Sequence, residues 1–252
     1  MEANATLKTD AMCVDVFSPK HATEKKDVFI FLHGGGWDSG HKSLYSFFGK
    51  RLARKGLVSI IVEYPLSPKV TYNEQAAAAA MVVKWAQQNI DKYSGDPKRI
   101  FISGHSAGGH LATLIAVREN YFDTLGIKNP LKGVVLIDAA GLDMYTYLME
   151  QEAIGKDTYM DAFTKNHAVW KAASPIYHLH KGMPPMLILR GGKTYPSIES
   201  STEKFVMELP KYNATPRYKV VKGKHHIAMI FQFLNSRNPL YKDILNFMKE
   251  QK

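Results

Sequence analysis

The segment Gly104-His105-Ser106-Ala107-Gly108 constrains this chain more than any other. It joins a short β-branched and aromatic run, residues 99–103, to a helix-forming run, residues 107–117. A serine between two such elements must occupy a sharp, strained turn, so its neighbours two positions away must be small. Gly104 and Gly108 meet that need, and Ala107 and Gly109 keep the turn uncrowded. Such a turn lifts the hydroxyl to the carboxyl end of a sheet, where open α/β sheets bind ligands. The rival reading is a helix-capping serine inside a glycine turn. The other motifs of the chain favour the nucleophile.

Strand and helix patterns alternate through the 252 residues. Strands are expected near residues 4–10, 12–18, 27–32, 57–62, 99–103, 132–137, 186–189 and 217–221. Helices are expected over 43–55, 73–89, 107–117, 198–209 and 238–250. In the first of these, Leu44, Phe47, Phe48 and Leu52 form one apolar stripe. The alternation of strand and helix, with largely apolar strands such as 27–32 and 57–62, fits a mainly parallel sheet covered on both faces. The length suits one large α/β domain. Residues 142–180 read as an irregular, aromatic-rich excursion beside the active site, a small cap on a single domain.

Composition narrows the function. The net charge is +10, but the 33 Lys and Arg are scattered singly. The densest cluster, Lys219, Lys222, Lys224, His225 and His226, is short and accompanied by no nucleic-acid-binding signature. No nucleic-acid partner is expected. No run of eighteen apolar residues exists, so no membrane-spanning helix is expected. Residues 1–10 lack a hydrophobic targeting core. Cytoplasmic and exported locations both stay open. Cys13 is the only cysteine. It permits neither an intrachain disulfide nor a cysteine metal site, and reads as a buried strand residue. No cofactor or metal is implied.

A second motif, His33-Gly34-Gly35-Gly36-Trp37, follows an earlier strand. The backbone amides of Gly35 and Gly36, with that of Ala107, are placed to hold an oxyanion. Glycine suits a backbone that must approach a substrate closely. A phosphate loop would end in Gly-Lys-Ser/Thr, which this loop lacks. Trp37 walls a substrate pocket or covers core. The base should follow the last strand, where Gly223-Lys224-His225-His226 offers two histidines and His226 is preferred. The acid is expected just after residues 186–189, yet residues 190–196 hold no carboxylate. Glu199 is the first beyond, then Glu203. Asp143, after the preceding strand, reads better as a capping aspartate.

These motifs resemble those of the esterase/lipase branch of the α/β-hydrolases. The similarity is to small esterases grouped with kynurenine-formamidase-like and acetylxylan/feruloyl esterase-like proteins. It runs from about Val14 to Phe247. His33–Trp37 matches the oxyanion motif, and Tyr64-Pro65-Leu66-Ser67-Pro68 resembles a further motif with Pro65 where arginine is usual. The resemblance implies Ser106 as nucleophile and His226, as the histidine of Gly-x-x-His, as base. It also suggests that Trp37 and Tyr64 shape the substrate pocket. The acid motif, Gly-x-x-Asp, puts Thr194 at the aspartate's place. Three explanations follow: a substitute such as Glu199, a weakened enzyme with a binding role, or a Ser–His pair with a neutral acceptor. The implied substrate is a short-acyl ester, small or glycan-linked, such as acetyl or feruloyl esters of plant polysaccharide. An aryl formamide is the alternative. A peptidase would need a propeller or large lid that this length does not hold.

Overall fold

The computed structural model describes residues 5–8 and 13–251. The ends of the first two expected strands, residues 4, 9, 10 and 12, lie outside the described residues. Eight strands form one sheet: β1 (Ala5–Lys8), β2 (Cys13–Phe17), β3 (Lys26–Leu32), β4 (Val58–Glu63), β5 (Gly95–Ser106), β6 (Leu131–Ala139), β7 (Met186–Gly191) and β8 (Arg217–Val221). Their order is β1-β2-β4-β3-β5-β6-β7-β8. The first two pairings are antiparallel and the rest parallel. The helices are α1 (Ser46–Arg54), α2 (Tyr72–Asn89), α3 (Ala107–Val117), α4 (Asn120–Asp123), α5 (Met144–Ala153), α6 (Met160–Phe163), α7 (His167–Ala172), α8 (Pro196–Glu208), α9 (His226–Phe231) and α10 (Leu240–Glu250).

The inner stretches of β3 to β7 are mainly apolar because both faces are covered, and alternation divides them between two cores, whereas the edge strand β8 is mostly exposed. On β3, Val28, Ile30 and Leu32 join the core that holds α2 and α3. Phe29 and Phe31 point the other way, into a core built with α1 and α10. All residues of α3 are buried. That helix therefore needs no polar face, and its small residues, Ala107, Gly108 and Gly109, let it pack onto the sheet.

Three expectations change. Residues 142–180 are not irregular but carry α5, α6, α7 and a 3-10 turn at Pro175–His178. Cys13 opens β2 half-buried rather than inside. The stripe before and along α1 is only partly inward: Phe48 and Leu52 are fully buried, while Leu44 is 57% exposed. The cause is local: residues 42–45 form a 3-10 turn, and its tighter winding puts Leu44 out of phase with the α-helix that follows.

Phe48 anchors the second core, with ring contacts to Phe29, Phe31, Phe233 and Tyr241. Phe48→Ala is expected to destabilise the fold by about 3–5 kcal/mol, read as a lower denaturant midpoint at unchanged slope.

Candidate active site

Ser106 ends β5 with φ 54° and ψ −121° and starts α3. That backbone is sparsely populated and costs about 1–3 kcal/mol for a residue with a Cβ. Close packing holds it. A Cβ on Gly104 would lie 2.2 Å from the Gly108 backbone, and one on Gly108 would lie 2.2 Å from Leu32 O. The two glycines flanking the serine are required by contact, not only by the turn.

The loop after β3 faces this elbow. Gly35 has φ 133°, and a Cβ there would sit 2.1 Å from Ser39 O. Among the described residues the Gly35 and Gly36 amides have no internal acceptor, and both residues line the cavity that contains Ser106. The loop is pinned from behind. Tyr64 Oη donates to His33 O at 2.8 Å, and Gln75 Nε2 to Trp37 O at 2.7 Å. Trp37 Nε1 donates to His110 Nδ1 at 3.1 Å, and His110 Nε2 donates to Ala173 O at 2.7 Å. Trp37 thus both lines the cavity and packs as core. Tyr64 does not reach the cavity: it is buried and stacked on the His33 ring, with centroids 4.3 Å apart. Its hydroxyl supports the loop, which corrects the expectation of a pocket residue.

His226 starts α9 and lines the same cavity as Ser106. No hydrogen bond joins the two side chains in this arrangement, and such bonds commonly tighten only with substrate. His226 Nδ1 donates to Asp138 Oδ2 at 2.6 Å. Asp138 also accepts from Gly191 N at 2.6 Å on Oδ1 and from Thr194 Oγ1 at 2.5 Å on Oδ2. Burial alone would raise the carboxyl's pKa. The bonds from His226, Gly191 and Thr194 outweigh it and hold the group below the usual aspartate value.

The carboxylate that meets the histidine is therefore neither Glu199 nor Asp143. Glu199 is bound to Arg190 at 2.6 Å, and Glu203 to the same guanidinium at 3.1 Å. Asp143 caps α5, accepting from Thr146 N at 3.1 Å, and pairs with Lys204 at 3.3 Å. Thr194, at the usual acid position, touches Asp138 instead of replacing it. Asp138 was missed because it follows Ile137 at the end of an apolar strand, where alternation gives it no special direction. Its geometry is a bulge. His105 pairs with Ile137 but Ser106 pairs with Ala139, so Asp138 is an extra residue, at φ 49°. Bulges re-aim side chains near sites. A carboxylate at the carboxyl end of the strand beside the nucleophile was the available signal.

Two other histidines are buried and held neutral. Burial, then the nearby His226, pushes His105 down to about 3, and burial pushes His110 down to about 4. His105 Nε2 donates to His226 O at 3.1 Å, and its ring stacks on His226 at 4.6 Å. His225, the other candidate base, precedes α9 as its N-cap and does not line the cavity.

The cavity measures about 720 Å³. Trp37, Tyr147, Tyr159 and Tyr195 supply aromatic walls. Among the described residues, Asp143, already paired with Lys204, is the one acidic residue in its lining, and no Lys or Arg joins it. Despite the basic surface, this space suits an uncharged ligand.

The sheet order, the strained serine elbow and the histidine–carboxylate pair define an α/β-hydrolase fold. The BD-FAE family model matches residues 14–203, and the chain belongs to that family. Esterase LipQ of Mycobacterium tuberculosis is 28% identical over 83% of this chain and 52% of its own length. Isoprenylcysteine alpha-carbonyl methylesterase ICME of Arabidopsis thaliana is 26% identical over 92% of this chain and 58% of its own length. The chain spans about half the length of the curated relatives it matches. Among solved structures, apo Thermogutta terrifontis esterase 2 superposes with a TM-score of 0.75. It is 20% identical, with 96% of this chain and 93% of that chain covered.

The depressed histidines set a pH dependence of stability. The unfolded chain binds protons at His105 and His110 below about pH 6.5, while the folded chain does not until about pH 4 or lower. Their contribution is therefore complete above pH 6.5 and is lost as pH falls toward 4. The slope should reach up to about 2.7 kcal/mol per pH unit for two protons. Denaturant midpoints between pH 4.5 and 7 test this, and a flat profile would count against it. Separately, a strongly downfield His226 Nδ1 proton resonance should vanish in Asp138→Asn and persist in Glu199→Gln.

Proposed function

We propose that this chain is a carboxylic ester hydrolase that forms an acyl-enzyme on Ser106. One observation carries the reading: Asp138 holds the Nδ1 face of His226 at 2.6 Å, beside a strained serine and a glycine loop with free amides. The Asp138 acceptor fixes the tautomer with Nε2 free to take the Ser106 proton. Ser106 Oγ attacks the ester carbonyl, and the amides of Gly35, Gly36 and Ala107 receive the negative oxygen. Each such donor is worth about 10²–10³ in rate. His226 passes its proton to the leaving alcohol. Water, deprotonated by His226, then hydrolyses the acyl-enzyme and releases the acid and free Ser106.

Acetyl or feruloyl esters, suggested by the motif resemblance, are neutral at the reacting end and fit the uncharged aromatic cavity. The weakened-enzyme reading rested on Thr194. It loses its basis once Asp138 supplies a carboxylate at the same histidine. Thr194 then has a different part. Its hydroxyl fixes the Asp138 oxygen that the histidine uses.

The substitutions separate these readings on 4-nitrophenyl acetate. Ser106→Ala should remove turnover, and Asp138→Asn should lower kcat by about 10⁴. Glu199→Gln should stay within about twofold, since its partner is Arg190. Thr194→Asp should lower activity at least about tenfold, because a second carboxylate would crowd Asp138 and raise the pKa of the pair. An Asp138→Asn enzyme with wild-type kcat, or a faster Thr194→Asp enzyme, would reject this assignment of the acid.

A further inference from the structure

Exposed apolar side chains gather at one side of the cavity mouth. Leu44, Tyr195 and Ile227 line the cavity and are also 57%, 56% and 55% exposed. From Ile227 the surface continues. Phe231 follows four residues on in α9, and Leu234 three further on in the 3-10 turn Gln232–Leu234, where residues three apart eclipse, so all three share one face. They are 41% and 52% exposed. Phe231 stacks on Phe47 with ring centroids 6.0 Å apart, which ties this face to α1 and thence to Leu44, three residues earlier. Scattered exposed apolar residues are ordinary, but five that form a track leading out of a cavity are not.

The position of the track relative to His226 gives its polarity. The base that protonates a leaving alcohol must contact that alcohol's oxygen. Ile227 adjoins His226 in sequence, and the Tyr195 ring lies 5.1 Å from the His226 ring. A group extending from the leaving oxygen therefore emerges on this side. We propose that the track binds an extended apolar chain on the alcohol side of the ester, running from Ile227 toward Phe231 and Leu234. The inference rests on the ester-hydrolase reading and adds a substrate class to it: esters of long or bulky apolar alcohols. The lack of lysine or arginine in the cavity lining fits a chain without charge.

A buried methylene is worth about fourfold in binding, and on an open track about half that free energy, or roughly twofold, is expected. Two ester series test the idea, each kept below its micelle concentration. In acetate esters of n-alkanols from two to ten carbons, kcat/KM should rise about twofold per methylene. Phe231→Ser and Leu234→Ser should each lower the ratio of octyl to ethyl acetate turnover about fivefold. The ratio corrects for any loss of folded enzyme. In 4-nitrophenyl acyl esters of the same lengths, the two substitutions should leave the chain-length ratio unchanged. A flat alkanol series, or a rise that both variants preserve, would overturn the proposal. So would a chain-length effect confined to the acyl series. Sedimentation is run in parallel. A dimer that Phe231→Ser dissociates, with alkanol ratios unaltered, would assign the face to a second copy and also overturn it. Absence of turnover on every ester, acetate included, would reject the hydrolase reading itself.

Discussion

The Asp138 carboxylate is a buried charge that three separate segments must satisfy. Its donors come from the end of β7, from the turn before α8 and from the start of α9. A buried carboxylate without such partners would cost several kcal/mol, so the group is stable only when all three segments arrive together. The loops at the carboxyl edge of the sheet are thereby fixed to one another, and the imidazole is fixed with them. The rest of the site presupposes that arrangement. An elbow serine is useful only if the base stands where the proton will go.

The opposite half of the site is rigid for a different reason. Gly104, Gly108 and Gly35 lie where any Cβ would enter backbone atoms. The serine elbow and the oxyanion loop are thus interlocked by van der Waals contact. Hydrogen bonds from Tyr64 and Gln75 to the loop's carbonyls, and from Trp37 to His110, hold the loop in place. Donors held in this way need no reorganisation when charge develops, which is the main source of electrostatic rate enhancement in acyl transfer. Burial keeps both His105, stacked on His226, and His110, bonded to Trp37, neutral.

The molecule separates its charge from its site. The net charge is +10, yet the cavity is walled by aromatic rings and backbone. Between β6 and β7, α5 carries Met144 and Tyr147 to the cavity, and the residue before α6 is Tyr159, which lines it too. Tyr195, Ile227 and Leu44 also line it. Low polarity in such a space strengthens the few hydrogen bonds made there.

Much of this was legible in the sequence, for physical reasons that can be named. Alternating strand and helix patterns, with short apolar runs for the inner strands, dictated a sheet covered on both faces. The glycines around Ser106 and after β3 dictated close backbone approach, so the serine elbow, the glycine loop facing it and a histidine in the same cavity could be anticipated. The acid could not. Its place depends on one extra residue in the pairing of β5 with β6, which turns Asp138 toward α9, and register is a relation between strands that no single segment contains. The same holds for Tyr64, Glu199 and Leu44. A motif put Tyr64 in the pocket, position along the chain made Glu199 one candidate for the acid, and periodicity put Leu44 in the core. The tertiary structure instead stacked Tyr64 behind the loop, gave Glu199 to Arg190 and left Leu44 at the cavity mouth. Local chemistry determined which residues could react. The register of two neighbouring strands decided which carboxylate would stand behind the histidine.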